Sequence, residues 1–165
     1  MLEEAATRAG ARRAEASGAD AGPPGDALGG YDIDAQVGFL LRRAHQRHTA
    51  LFQEAMAPVD LTPTQFNALV RVVEQGGATQ NALGRLTAMD PATIQGVVRR
   101  LADRGLVRRD TDPSDRRAIV LTPTPEGTAL AARAVETGRQ VTEATLAPLS
   151  VAERRTFLNL LARMT

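Results

Sequence analysis

The sequence predicts a mostly α-helical domain with one small β-hairpin, and three observations support this. Apolar residues recur at helical spacing through most of the chain from Tyr31 onward. Ser, Thr or Asp stands before most of the helical runs, where a side-chain oxygen can cap a helix. Only between Leu106 and Leu121 does the pattern change to short strand-like runs around a turn.

The composition is that of one folded domain with a tail. The chain of 165 residues is 43% hydrophobic, which suffices for a buried core. Residues 1–30 are rich in Ala, Gly, Glu, Asp and Arg and contain almost no large apolar side chains. Such a segment cannot form a core, so we expect a disordered N-terminal tail there and the folded domain over residues 31–165.

The composition also excludes several classes of protein. The chain has no Cys, so disulfide scaffolds, thiolate metal sites and cysteine nucleophiles are excluded. No apolar run approaches the roughly 20 residues that span a bilayer, and the N-terminus lacks the apolar region of a secretion signal. We expect a cytoplasmic protein with no membrane partner. A net charge of +1 leaves nucleic-acid binding to the local arrangement of charges.

Each helix has its own sequence signal. The first is predicted as one long apolar stripe from Tyr31 to Pro58. The starts of the later helices are predicted by capping residues and first-turn prolines, at Thr62-Pro63, Thr79, Asp90-Pro91, Thr124-Pro125 and Ser150 with Glu153. The predicted order is helix, helix, two short helices joined by a tight turn, hairpin, helix, helix.

The helix that starts at Asp90 has the properties of a DNA-reading helix. Its apolar residues fall on one side, so at about 100° per residue small and polar residues fall on the other. Gln95 and Arg99 have the donor and acceptor groups to read base edges, and small residues beside them permit a close approach. We also expect the amides of the first turn to be free to hold a phosphate.

The hairpin beside this helix is rich in arginine. Residues 99–117 contain seven Arg against four Asp, a local balance of +3. At the hairpin tip, Asp115 can hold Arg117 by a charge-assisted hydrogen bond and so present it to the minor groove or the DNA backbone. Two short helices with such a hairpin indicate a winged helix-turn-helix.

The string DPSDRRAIVLTPTPEG, residues 112–127, closely matches the wing signature of the MarR family of bacterial transcription regulators, and residues 31–164 resemble that family as a whole. Pro123 departs from the pattern, and we expect it to shorten the second strand. The candidate DNA-binding residues are then Thr79, Gln80, Asp90, Pro91, Ala92, Thr93, Gln95, Arg99, Asp115, Arg116 and Arg117.

The resemblance implies a homodimer that binds a pseudo-palindromic double-stranded operator and associates with the bacterial nucleoid when bound. Residues 31–58 and 124–165 would form the dimerisation helices, and residues 62–121 the DNA-binding lobe. The apolar content of the last two helices supports this independently, because a peripheral pair of helices would not need it.

The first helix also carries both histidines of the chain, next to an apolar stripe. In the MarR family small aromatic acids often bind between the first, second and fifth helices and the DNA-binding lobe, and displace the reading helices from their spacing on DNA. His and Arg suit a carboxylate or phenolate. No cofactor is expected beyond such an effector. The candidate effector-binding residues are Phe39, Arg42, His45, His48 and Phe66, with Met56 as a further apolar wall.

Three segments narrow the resemblance and leave alternatives open. The strings VGFLLRRAHQRHTALFQ, LTPTQFNALVRV and DPATIQGVV are similar to the MarR branch that represses nicotinic-acid degradation genes and responds to hydroxylated nicotinate. The two histidines could instead belong to a metal-responsive regulator, or be structural, although no metal ligands are assigned. A winged helix used for protein interaction is another alternative. An enzyme is disfavoured, because no catalytic motif is present.

Overall fold

The structure is a computed structural model of the chain and describes residues 29–112 and 118–165. The wing residues Asp115, Arg116 and Arg117 lie outside the described residues, as do residues 1–28 of the expected tail. The described residues form six α-helices: α1 Val37–Met56, α2 Pro63–Glu74, α3 Gln80–Leu86, α4 Pro91–Asp103, α5 Pro125–Leu146 and α6 Val151–Ala162. The mostly helical prediction is confirmed.

The predicted hairpin is present and gains a third strand. The three strands are β1 Ala78–Thr79, β2 Val107–Thr111 and β3 Ile119–Pro123, all antiparallel with β3 in the centre. The two-residue strand β1 was not predicted, because two residues carry no periodicity. The expectation that Pro123 shortens the second strand is wrong. Pro123 pairs with Val107 at the end of β3, past the residues of β3 that pair with β1, and its missing N–H is tolerated there.

The caps predicted from the sequence are confirmed. The side chains of Thr62, Thr79, Asp90, Thr124 and Ser150 each accept a hydrogen bond from a backbone N–H in the first turn of the next helix. At Thr62 and Ser150 the reciprocal bond from the third helical residue completes a capping box. Five of the six helix starts are therefore determined by local chemistry.

The exception is α1, which has no side-chain cap and begins at Val37 rather than Tyr31. Tyr31 and Ile33 are exposed and lie before the helix, so the apolar stripe was extended one to two turns too far. At its other end α1 continues into a short 3₁₀ turn, Ala57–Val59, which ends at Asp60 in the left-handed backbone region.

The core lies within the lobe built from α2, α3, α4 and the sheet, and extends between α1 and α5. Its fully buried side chains include Leu69, Val72, Leu83, Val97 and Leu121. By contrast, α6 contributes no buried residue to the chain. Among the helices of the described residues, none has the length and hydropathy needed to span a membrane.

Candidate DNA-binding surface and effector cavity

The turn between α3 and α4 is tight and held by backbone and side-chain hydrogen bonds. Met89 N donates to the carbonyl of Gly84 at 3.0 Å, and Thr87 Oγ1 donates to the carbonyl of Leu83 at 2.7 Å. Ala88, with a φ of 52°, supplies the left-handed residue that reverses the chain. The two helices are thereby fixed as a helix-turn-helix, as predicted.

Helix α4 presents the predicted outer face to solvent. Ile94, Val97, Val98 and Leu101 are buried. On the other side Gln95 and Arg99 are exposed, and the neighbouring Ala92 and Gly96 have little or no side chain. The guanidinium of Arg100 lies along this face, because a Cβ at Gly96 would be 3.7 Å from Nη2 of Arg100. The surface can therefore approach a groove of DNA closely.

The N-terminus of α4 is already occupied by its own cap. Asp90 Oδ1 accepts from the amides of Ala92 at 3.0 Å and Thr93 at 2.9 Å, and Pro91 has no N–H. Our expectation that these amides hold a phosphate is therefore wrong. Thr93 Oγ1 also donates to Asp90 Oδ2 at 2.5 Å. These bonds lower the pKa of Asp90, and the bond from the Thr93 hydroxyl has the largest effect.

The other predicted residues of this surface lie close by. Thr79 caps α3 by accepting from Ala82 N at 3.2 Å, and its backbone pairs with Val120. Gln80 lies in the cleft between the two helices, which Asp90 and Pro91 also line. The structure thus brings together the predicted residues of α3 and α4 on one side of the lobe.

The strands of the wing carry paired and unpaired arginines. Arg108 Nε donates to Asp110 Oδ2 at 2.7 Å, and this ion pair raises the pKa of Arg108. The side chain of Arg109 is exposed and makes no hydrogen bond or ion pair with the rest of the described chain. Arg109 is thus a cation available to a phosphate. It was not among the DNA-binding residues predicted from the sequence.

A second site is a cavity of about 380 Å³ between α1, α5 and α6. His45 and His48 line it from α1, and Thr142 and Thr145 from α5. Its apolar walls are Leu41, Ala44, Leu146, Phe157, Leu158 and Leu161. A mostly apolar cavity with a few polar side chains is the usual form of a small-molecule site.

One wall of the cavity is held by hydrogen bonds between α1 and α5. His48 Nδ1 lies 3.0 Å from Thr145 Oγ1. The neighbouring Arg47 donates to the carbonyls of Ala144 and Thr145, each at 3.2 Å, and so fastens the last turn of α5 to α1. The position of His48 relative to α5 is therefore well determined.

The structure separates the predicted effector residues into three groups. Only His45 and His48 line the cavity. Arg42 is exposed and lies over the ring of Phe39, 5.3 Å from its centroid. Phe66 lies behind the cavity on α2, and Met56, at 1% exposed, is part of the core rather than a wall. Arg42 is six residues from His48, about 120° around the helix, which is why it does not reach the same cavity.

Phe66 nevertheless connects the cavity to the DNA-binding lobe. The ring of His48 lies 6.3 Å from that of Phe52, which packs edge-on against Phe66 at 5.5 Å. Phe66 in turn reaches Gly138 of α5, where a Cβ would lie 3.0 Å from its ring. Packed aromatic rings thus run from the cavity to α2.

Most of the cavity wall was not predicted from the sequence. Thr142 and Thr145 of α5 and the three apolar residues of α6 are about 100 residues from His48 along the chain. The available signal was the apolar content of the C-terminal helices, which we had attributed to dimerisation alone.

A reading helix with an exposed polar face, set beside a basic wing, defines a winged-helix DNA-binding protein rather than an enzyme. Comparisons identify the family. The model of the MarR family matches residues 61–119. The HTH-type transcriptional repressor NicR of Pseudomonas putida is 42% identical over 134 residues, which cover 81% of this chain and 85% of the relative. The chain belongs to the MarR family of transcriptional regulators.

Solved structures agree with this assignment. A probable transcriptional regulator from Pseudomonas aeruginosa is 48% identical, with a TM-score of 0.78, over 81% of this chain and 100% of that one. BpsR of Bordetella bronchiseptica, whose DNA binding is regulated by 6-hydroxynicotinic acid, is 41% identical with a TM-score of 0.77, over 81% and 96% of the two chains. The predicted winged helix-turn-helix fold is confirmed.

Proposed function

We propose that this protein is a homodimeric transcriptional repressor that binds a pseudo-palindromic operator and is released from it by a small aromatic acid. The observation that carries the proposal is the pairing of an exposed reading face on α4 with an apolar, histidine-lined cavity elsewhere on the same chain. One site suits DNA, and the other is large enough for a single aromatic ring with its substituents. Such a protein would work in the bacterial cytoplasm, at the nucleoid.

The DNA contacts proposed are those of α3, α4 and the wing. Gln95 and Arg99 would read base edges, while Thr79 and Gln80 would position the lobe on the DNA backbone. Thr93 would stay bonded to Asp90 beside these contacts. The small residues Pro91 and Ala92 would permit the approach, with Asp90 holding the first turn of α4 in place. From the wing signature, Asp115, Arg116 and Arg117 remain proposed contacts.

The homodimer is proposed from an exposed apolar face of the chain. We define this face as the exposed apolar side chains of α1 and α6, which are Val37, Leu40, Leu41, Val151, Phe157, Leu158 and Leu160. Since α6 buries none of its residues within its own chain, a second copy is the natural cover for them. A twofold dimer would then place two reading helices for the two halves of a palindrome.

A hydroxylated nicotinate is the proposed effector, by similarity to NicR and BpsR. His45 and His48 supply polar groups for such a ligand, and the apolar walls suit its ring. The metal-responsive alternative gains no support, because nowhere in residues 29–112 and 118–165 do three or more His, Asp or Glu side chains cluster as a metal site would require.

Fluorescence-anisotropy titration with labelled DNA from upstream of the protein's own gene tests the proposal, with and without 6-hydroxynicotinate at one fixed salt concentration. We expect sequence-selective binding that the acid reverses. Arg99→Ala and Arg117→Ala should each weaken specific binding by about 1 to 3 kcal/mol, because each removes one direct contact.

The exposed Arg139→Ala on α5 is the matched control, since it removes an arginine far from α4 and the wing. If Arg99→Ala, Arg117→Ala and Arg139→Ala all bound the operator with the same affinity, the proposed DNA surface would be contradicted. Specific binding that no aromatic acid reverses would contradict the effector part alone.

A further inference from the structure

The hydrogen bond between His48 and Thr145 has a defined direction. Thr145 Oγ1 donates its single hydrogen to the carbonyl of Val141, one turn earlier in α5, at 2.8 Å. The hydroxyl can then only accept from His48, 3.0 Å away. Two bonds from Arg47 to the carbonyls of Ala144 and Thr145 hold this turn of α5 beside α1. Nδ1 of His48 must therefore carry the proton.

This direction decides what the other ring nitrogen can do. In a neutral imidazole only one nitrogen carries a proton, so a protonated Nδ1 leaves Nε2 as a hydrogen-bond acceptor. Within the described residues no hydrogen bond occupies Nε2 of His48. The ring is half-buried in the cavity wall, where an unpaired acceptor becomes costly once a ligand displaces water.

We propose that Thr145 is a positioning residue that fixes His48 as an acceptor, so that the cavity selects aromatic acids carrying a hydroxyl or ring N–H donor. The ligand's donor would bond to Nε2, with its ring against the apolar walls. This inference rests on the proposed effector function and specifies its selectivity. An acid without the donor hydrogen would leave Nε2 buried and unpaired, and would bind more weakly.

Two sets of probe ligands separate the donor hydrogen from size and polarity. The first set contains 4-hydroxybenzoate, 4-methoxybenzoate and benzoate. The methoxy compound keeps the oxygen but lacks its hydrogen, and benzoate lacks both. The second is 6-hydroxynicotinate with nicotinate. We expect the wild-type protein to bind the donor-bearing member of each set about tenfold or more tightly, measured by calorimetry on the full chain.

Variants at Thr145 test its role as a positioning residue. Thr145→Val removes the acceptor from Nδ1 and should reduce the selectivity severalfold, while Thr145→Ser keeps the hydroxyl and should retain it. Operator affinity without ligand should be unchanged in both variants. If Thr145→Val kept the full selectivity, Thr145 would have no positioning role.

Nitrogen NMR gives a readout that a merely structural role would not change. The chain has two histidines, so both rings can be assigned, and the exposed His45 serves as the internal reference. At a pH where both rings are neutral, His48 should be in the Nδ1–H form in wild type and Thr145→Ser. It should change towards the tautomer mixture of His45 in Thr145→Val.

The outcomes separate this inference from the proposed function. An Nε2–H form of His48 in the wild-type protein would overturn the inference. Equally tight binding of all members within each set would also overturn it and leave the effector function standing. If none of the five acids bound, the proposed effector function would fail and the inference with it.

Discussion

At the scale of single residues, Gly127 shows why the wing signature continues into α5. Thr124 Oγ1 donates to the carbonyl of Gly105 at 2.7 Å and accepts from Gly127 N at 3.0 Å. The backbone N–H of Thr124 donates to the carbonyl of Leu106. These bonds press the first turn of α5 against the start of β2, and a Cβ on Gly127 would lie 1.9 Å from the Leu106 oxygen.

Gly127→Ala should therefore destabilise the protein by about 2 to 4 kcal/mol, because neither backbone can move without breaking these bonds. Urea unfolding followed by circular dichroism measures the free energy of unfolding. Gly38→Ala in α1 is the matched control, because no heavy atom lies within 4 Å of the added methyl. It should leave stability unchanged or raise it slightly. A loss of under 1 kcal/mol for Gly127→Ala would show that the contact relaxes.

At the scale of the elements, local chemistry made most of the fold predictable. Thr62, Thr79, Asp90, Thr124 and Ser150 locate five helix starts, because each cap needs only residues within one turn. The start of α1 was misplaced because it has no such cap and apolar residues continue before it. Strand β1 was missed because β3, with which it pairs, is about 40 residues away.

The candidate site residues also divide into those that local sequence predicts and those that depend on contacts distant in sequence. Helical periodicity alone places Gln95 and Arg99 on the outer face of α4, since both faces belong to one helix. The cavity is assembled from α1, α5 and α6, so the contact of His48 with Thr145 has no local signal in the sequence. For the same reason Arg42, close to the histidines in sequence, was grouped with them although it lies over Phe39.

The DNA-reading helix is also anchored at its end. Arg104, the C-cap of α4, donates from its two terminal nitrogens to the carbonyl of Asp60 and, at 3.0 Å, to that of Val59. These carbonyls belong to the turn that follows α1. A side chain thus ties the end of the reading helix to the end of the helix that lines the cavity.

Arg104→Ala should lower the free energy of unfolding by about 1 to 2 kcal/mol, because it removes two charge-assisted hydrogen bonds from a side chain that is 32% exposed. Arg104→Lys should recover only part of this, since an ammonium group lacks the two-pronged geometry. Arg71→Ala, which breaks an exposed ion pair with Glu74, is the control and should cost under about 0.5 kcal/mol. Equal losses for Arg104→Ala and Arg71→Ala would rule out the anchor.

At the scale of the whole molecule, the cavity and the exposed apolar face share α1 and α6. Leu41, Phe157 and Leu158 belong to both, so a second copy covering the face would also enclose the cavity. Dimerisation, ligand binding and the spacing of the two reading helices would then depend on the same helices. This coupling explains how a ligand held by α1 and α5 could change DNA affinity without touching α4.

Leu160→Glu tests the dimer, because Leu160 is 51% exposed on α6 and lines neither the cavity nor the DNA surface. Each dimer would bury two unpaired carboxylates, so we expect the dimer Kd to rise at least 100-fold, about 3 kcal/mol, in sedimentation analysis. Affinity for a two-half-site operator should fall with it, while circular dichroism remains that of a folded chain. Leu86→Glu is the matched control, since Leu86 is 45% exposed on α3, away from the apolar face. It should sediment as wild type does, and a dimer that survives Leu160→Glu unchanged would mean that another surface joins the two copies.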